Sequence, residues 1–249
     1  MPSFVIQHAT ARPPFILDLT DRGRDLSVSA AREIAGPLGY PSKMPGTAYG
    51  ISATHCLTGS KLAAIAGSTC HECYALKANY QYPSVRKAHE TRFDGLRHPR
   101  WVAAMVAQLN HMHSLDKNGQ PRRGRNGKIT PGWHRWHDSG DLQGVQHLAN
   151  ICAVAFLTPG IKHWLPTREG TIVKRYIDAG GVVPTNLTIR ISATMVDGPA
   201  PQWWPTTSGV HDVNPAVGHD CPARFQSGKC GDCRACWSRD VARVDYPLH

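Results

Sequence analysis

Hydrophobic and polar positions alternate with a period of two in "GWHRWHDS" (132–139) and then recur at helical spacing in "GDLQGVQHLANICAVAFL" (140–157). The cycle repeats. "IKHWLPT" (161–167) alternates, "REGTIVKRYIDAGG" (168–181) has helical spacing, and "NLTIRISATMV" (186–196) alternates again with Leu187, Ile189 and Ile191 on one face. Asp141 reads as the cap of the first helix, and Gly180-Gly181 as the stop of the second. Strand–helix–strand–helix–strand at this spacing predicts parallel α/β units joined by right-handed crossovers.

Outside this stretch the pattern is weaker. Residues 1–50 are irregular and turn-rich, with a short helical piece near 29–35. "SVRKAHETRFDGLRHPRWVAAMVAQLNHMH" (84–113) predicts two helices, the first capped by Ser84 and the second starting at Pro99. From residue 197 the chain is rich in Pro, Gly and Trp and has no period. The expected fold is therefore α/β: a partial or complete parallel (β/α) TIM-like barrel with an irregular cysteine-rich C-terminal segment. A single domain over 1–249 would comprise an irregular segment (1–50), a barrel-like core (51–196) and a metal-binding segment (197–249).

A chain of 249 residues can bury a full core without covalent staples. It shows no signal-peptide pattern and no apolar run long enough for a membrane span, so a reducing cytoplasm and no membrane partner are expected. In that compartment eight cysteines point to metal or redox chemistry more than to disulfides. The formal charge of +10 hints at anionic partners. Much of it sits in "DKNGQPRRGRNGK" (116–128), which reads as a contact for nucleic acid or another polyanion or, equally simply, as a solvated loop. It has no interleaved aromatic side chains to stack on bases.

The cysteines change the picture most. Cys221-x8-Cys230-x2-Cys233-x2-Cys236 places three thiols at two-residue spacing, with a fourth followed by Pro222. Structural zinc sites usually draw on two separated pairs. Three consecutive cysteines at two-residue spacing match the start of a bacterial ferredoxin run around an iron–sulfur cube, and Gly228, Gly231 and Ala235 would let main-chain amides approach the sulfides. A [4Fe-4S] cluster is the expected cofactor, with zinc as the alternative. A second group, Cys56, Cys70 and Cys73, is one ligand short of a closed site. His55, His71 or a carboxylate could complete it, it could share the other cluster, or the three could be free thiols. Cys152, inside the apolar helix, reads as core.

Ligands of parallel α/β proteins bind outside the carboxyl ends of the strands. The residues expected there are Asp138, Ser139, Asp141, Thr167, Arg168, Glu169, Ser192 and Thr194. Asp138, Asp141 and Arg168 are the candidate substrate-binding residues. For Asp141 and Thr167 the competing reading is helix capping. No nucleophile elbow, phosphate loop or dinucleotide fingerprint is present.

Taken together, "SKMPGTAYGISATHC", "TCHECYA", "WHRWHDSGDL", "WLPTRE" and "CPARFQSGKCGDCRACW" resemble, in this order, the phage and plasmid family of gene product 88 over roughly residues 40–237. The resemblance implies a cysteine-rich, [4Fe-4S]-binding protein of viruses or mobile elements, with a core similar to the radical S-adenosylmethionine barrel. S-adenosylmethionine is then a further candidate cofactor. Cys56 precedes Cys70-x2-Cys73 by thirteen intervening residues, where those enzymes have three, and "HDSGD" replaces their glycine-glycine-glutamate motif. Two functions remain open: an iron–sulfur protein serving electron transfer through a redox partner or radical chemistry, and a zinc-stabilised nucleic-acid-binding protein.

Overall fold

The computed structural model describes residues 14–120 and 132–248. Seven strands form one sheet in which every pairing is parallel: β1 (Thr47–Tyr49), β2 (Gly132–Trp136), β3 (Ile161–Thr167), β4 (Leu187–Ser192), β5 (Thr207–His211), β6 (His219–Asp220) and β7 (Arg243–Pro247). Their spatial order is β1-β2-β3-β4-β5-β7-β6. Among the described residues no ladder joins β1 to β6, so the sheet is open; closure into a barrel is not shown.

Five strands in sequence order place their crossover helices on one face, because right-handed connections all turn the same way. That layer holds α1 (Val28–Ala35), α4 (Trp101–Met112), α5 (Val145–Leu157) and α6 (Gly170–Asp178), packed as neighbours in that order. The two short or peripheral helices, α2 (Thr58–Leu62) and α3 (Pro83–Gly95), belong to the long β1–β2 crossover. The apolar residues of the layer close over Tyr49, Trp136, Ile161, Leu165, Leu187, Ile189 and Ile191 of the strands. Cys152 is buried in this core, as its apolar neighbours in sequence suggest.

Side chains alternate across a sheet, so the opposite face carries Trp133, Arg135, Trp164, Thr188, Arg190, Val244 and Tyr246. A singly wound open sheet leaves this face without a helix layer. Here the C-terminal segment fills the gap: Ala235, Cys236 and Trp237 pack against Trp164 and Val244, with Trp133, Tyr246 and Met44 at the margin. Trp237 meets Trp164 and Trp133 edge-on, with ring centroids 5.2 and 5.6 Å apart.

Residues 132–192 follow their periodicity closely, and β3 occupies the expected residues. Four strands depart from it. β1 lies in the turn-rich first fifty residues, and β5, β6 and β7 lie in the aperiodic segment after residue 197. These strands have two to five residues and mixed polarity, too short for a periodic signal, and pairing with neighbours stabilises them. Three caps also differ. Pro83 opens α3, with Tyr82 at the cap and Ser84 inside the first turn. Arg100 caps α4, so Pro99 lies just outside it. Gly144, not Asp141, caps α5.

Candidate metal centre

The C-terminal thiols are placed by three short elements. Cys221 follows β6, its amide donating to the Asp245 carbonyl at 2.8 Å, and Pro222 then opens a single 3-10 turn. The Cys230 amide donates to the Lys43 carbonyl at 2.8 Å, and the Cys233 amide to the Cys230 carbonyl at 3.0 Å. Gly228 and Gly231 both adopt positive φ, 72° and 52°, which lets the chain reverse tightly between Cys221 and Cys233. Cys236 lies in the turn Ala235–Trp237, buried against the sheet.

Arg190 fixes that last turn. It is fully buried in the middle of β4. Its guanidinium donates to the carbonyls of Ala235 (2.8 Å), Cys236 (3.0 Å) and Ser238 (2.7 Å), and to that of Thr207 (3.1 Å). Thr188 Oγ1 donates to the remaining carbonyl, that of Trp237, at 2.8 Å. Trp237 Nε1 in turn donates to the His134 carbonyl at 2.9 Å. Four consecutive carbonyls of the cysteine segment are thus held from below. Among the described residues, no carboxylate forms an ion pair with Arg190. A buried guanidinium without an anion is costly. The ionisable groups that face it are Cys236 and Tyr246.

The four thiols lie within electrostatic reach of one another. Burial pushes the Cys236 thiol up to about 12, against the pull of the Tyr246 hydroxyl and of Arg190. Burial also raises Cys221 and Cys230; Cys233 adds to both, and Cys221 adds to Cys230. Arg234 and Arg135 pull Cys230 down. Two sulfurs have a side-chain partner: Cys236 Sγ lies 3.2 Å from the Tyr246 hydroxyl, and Cys233 Sγ lies 3.4 Å from His219 Nε2. All eight cysteines are free thiols.

The front thiols gather at the carboxyl edge of the sheet, in the crossover after β1. Glu169, just past β3, holds this crossover by accepting from Thr58 N (2.6 Å) and Thr58 Oγ1 (2.8 Å). Thr69 N donates to the Thr194 carbonyl at 2.9 Å, and Arg168 Nε donates to Thr69 Oγ1 at 2.9 Å. The Cys56 and Cys70 sulfurs flank Gly59, where a Cβ would lie 3.5 and 3.6 Å from them. Burial pushes Cys56 up to about 12, reinforced by Asp141, Cys73 and Cys70 and opposed by Arg168. Of the two neighbouring histidines, His55 Nε2 meets Glu90 at 2.8 Å, and His71 Nδ1 meets the Ala63 carbonyl at 3.0 Å.

Asp141, Arg168 and Asp138 all stand at the strand ends, as expected. Asp141 is a tie between loops: it accepts from Leu142 N (2.8 Å), Thr167 Oγ1 (2.6 Å) and Arg168 N (2.8 Å). Thr167 likewise caps no helix; its Oγ1 accepts from Glu169 N at 3.0 Å. Asp138 is set apart, on the side of Tyr74 and Tyr80, whose hydroxyls both donate to its carbonyl (2.8 and 3.3 Å). Its Oδ1 is buried and has no hydrogen-bond partner among the described residues. Gly50 is required beside it, since a Cβ there would collide with Asp138 Oδ1 and lie 2.7 Å from the Ser139 carbonyl. His137, between these residues and β2, holds a positive φ of 51°, a strained conformation for a non-glycine residue. Of the basic stretch 116–128, residues 121–128 lie outside the described residues.

Among the described residues, no three Cys, His, Asp or Glu side chains form a group that could hold a single metal ion. A zinc site needs its thiolates on one sphere of ~2.3 Å radius. Neither cysteine group meets that condition, although each lies within mutual electrostatic range.

A model of the family gene product 88 matches residues 26–239, most of the chain. This chain belongs to the gene product 88 family. No curated protein and no solved structure matches it. In this family member the matched region runs from just before α1 to just past the C-terminal cysteines, so it includes both thiol groups. The residues that seat the second group, Arg190, Thr188 and Tyr246, were not among the candidates drawn from sequence. The signal for Arg190 was a cation at the centre of the alternating strand "LTIRIS", which reads as a solvent-facing position until something covers that face. Among the described residues no helix is long and apolar enough to cross a membrane.

Proposed function

We propose that this gene product 88 protein is an iron–sulfur redox protein that carries a [4Fe-4S] cluster on Cys221, Cys230, Cys233 and Cys236. The observation that carries the reading is Arg190, buried with no carboxylate partner beneath the one cysteine that is itself buried in the set. Thiolate ligation would supply the anion that this cation lacks, and it would offset the burial that raises Cys221, Cys230 and Cys236. The two-residue spacing of Cys230, Cys233 and Cys236 is the sequence feature that favours a cube over zinc. When bound, such a cluster supplies one-electron transfer. The chain's own contribution is to fasten four carbonyls of the ligand loop, exclude water from Cys236 and leave the Cys221–Cys233 side open to a redox partner.

The front trio of Cys56, Cys70 and Cys73 is the place for a second or shared centre, with Asp141 and Arg168 as its polar neighbours. Any use of S-adenosylmethionine belongs to this edge of the sheet. Addition of S-adenosylmethionine to the reduced protein, followed by a search for its cleavage products, separates an enzyme from an electron carrier.

The deciding experiment measures iron, sulfide and zinc on anaerobically prepared wild type, Cys233→Ala and Cys73→Ala. Brown protein with near-equal iron and sulfide, lost in Cys233→Ala, is the expected result. Colourless protein with about one zinc would replace the reading with a zinc-stabilised one. Full cluster content in Cys73→Ala places the front thiols outside the ligand set.

A further inference from the structure

Tyr246 faces the ligand loop from β7, on the same side of the sheet as Arg190 and Arg135. Among the described residues, its hydroxyl has one hydrogen-bonding partner, Cys236 Sγ at 3.2 Å. Arg190 holds the carbonyls of Ala235, Cys236 and Ser238, so the backbone that carries this sulfur is fixed beside the phenol. Thr188 and Trp237 make further bonds that hold the same turn. Cys236 is thus the one position of the four whose sulfur is buried, pinned and met by a phenol. Cys233, by contrast, faces His219 on the exposed side.

Resting on the cluster reading above, we infer that Tyr246 is a positioning residue that sets the reduction potential of the C-terminal centre by donating its hydroxyl hydrogen to Cys236 Sγ. A thiolate sulfur gains electron density when the centre to which it is bound takes up an electron, and a fixed donor stabilises that added charge. One electron enters from an external one-electron donor. No proton is transferred, and the phenol O–H stays intact in both states. The guanidinium of Arg190 acts in the same direction on the same sulfur, through space.

The test is a redox titration of the anaerobically reconstituted full chain with dithionite, followed by electron paramagnetic resonance, for wild type, Tyr246→Phe and Tyr246→3-fluorotyrosine. Tyr246→Phe should keep its iron and sulfide and lose about tenfold in preference for the reduced state, a fall of ~59 mV for one electron. The fluorinated phenol is a stronger donor of nearly the same shape and should shift the potential the opposite way. Retained cluster with an unmoved potential in both variants overturns the inference and leaves the cluster reading intact. Should Tyr246→Phe fail to hold the cluster, the sign of the fluorotyrosine shift decides: upward supports the inference, unchanged or downward overturns it. Wild type that binds no iron and sulfide overturns the cluster reading itself and the inference with it.

Discussion

Two groups of cysteines stand on this sheet in different electrostatic settings. The front trio lies at the carboxyl edge, where Asp141 pushes the Cys56 thiol up and Arg168 pulls it down. The C-terminal four lie across the inner face, where Arg190, Arg135 and Arg234 oppose burial and the carboxylate Asp220 enters only weakly, at Cys221. At the front edge a carboxylate and an arginine act on the same thiols, whereas Cys230 and Cys236 of the C-terminal set meet arginines and only Cys221 meets a carboxylate. A border in which cations predominate favours a net negative occupant. Spacing brought both groups to attention; the difference in counter-charge is what separates them.

Removal of Arg190 should erase that difference with the largest effect. Arg190→Met leaves the carbonyls of Ala235, Cys236, Ser238 and Thr207 without their donor, and buried unsatisfied acceptors cost about 1–3 kcal/mol each. Allowing for relaxation, roughly 3–5 kcal/mol of stability should be lost, together with the C-terminal cluster, as read by urea unfolding and iron content. Arg190→Lys keeps the charge without the fork, and so tells counter-charge from hydrogen bonding. Unchanged stability and iron in Arg190→Met would remove the ground for separating the two groups.

Acid should weaken the helix-side face of the sheet before it touches the inner one. His134, His137, His147 and His163 are all buried there. Burial lowers His137 and His163 from 6.5 to about 3, and holds His134 and His147 well below 6.5. Above pH 6.5 these rings are neutral in both folded and unfolded chains. Below it the unfolded chain binds protons that the folded one refuses, so stability falls as pH falls towards 3. The slope is about 1.4 kcal/mol per ring per pH unit. Unfolding midpoints between pH 7.5 and 5 should drop steeply, and the drop should shrink in His163→Gln. A flat profile over this range would mean that these rings are not kept neutral by the fold.

The smallest effect is expected at the front edge. Arg168 pulls both Cys56 and Cys70 down. In Arg168→Gln both thiols should titrate higher and alkylate a few-fold more slowly in metal-free protein at pH 8.5, at up to about tenfold per pKa unit. Cys221, which lacks that neighbour, serves as the internal reference by mass spectrometry. Equal slowing at Cys221 would show a global change and not a local charge.

Much of the scaffold was legible in the chain because local periodicity and local burial coincide there. Leu187, Ile189 and Ile191 alternate in sequence and lie on the helix-covered face in the fold. The strand-end location of Asp138, Asp141 and Arg168 followed from the same reasoning, since chain direction in a parallel sheet fixes which ends of the strands carry the loops. The roles of these residues did not follow: Asp141 proved to be a loop tie and not a helix cap, because its partners Thr167 and Arg168 are distant in sequence.

The sequence by itself determined the alternation of strands and helices, the grouping of the thiols and the family to which they belong. All of these depend on neighbours in the chain. Only the tertiary structure decided that the aperiodic C-terminal segment contributes three strands and covers the bare face of the sheet. It alone turned Arg190 from a surface cation into a buried one beneath Cys236 and brought Tyr246 to that sulfur. The physical reason is that the cost of a buried charge and the reach of a hydrogen bond depend on what lies across the sheet, and on that the local pattern of residues is silent.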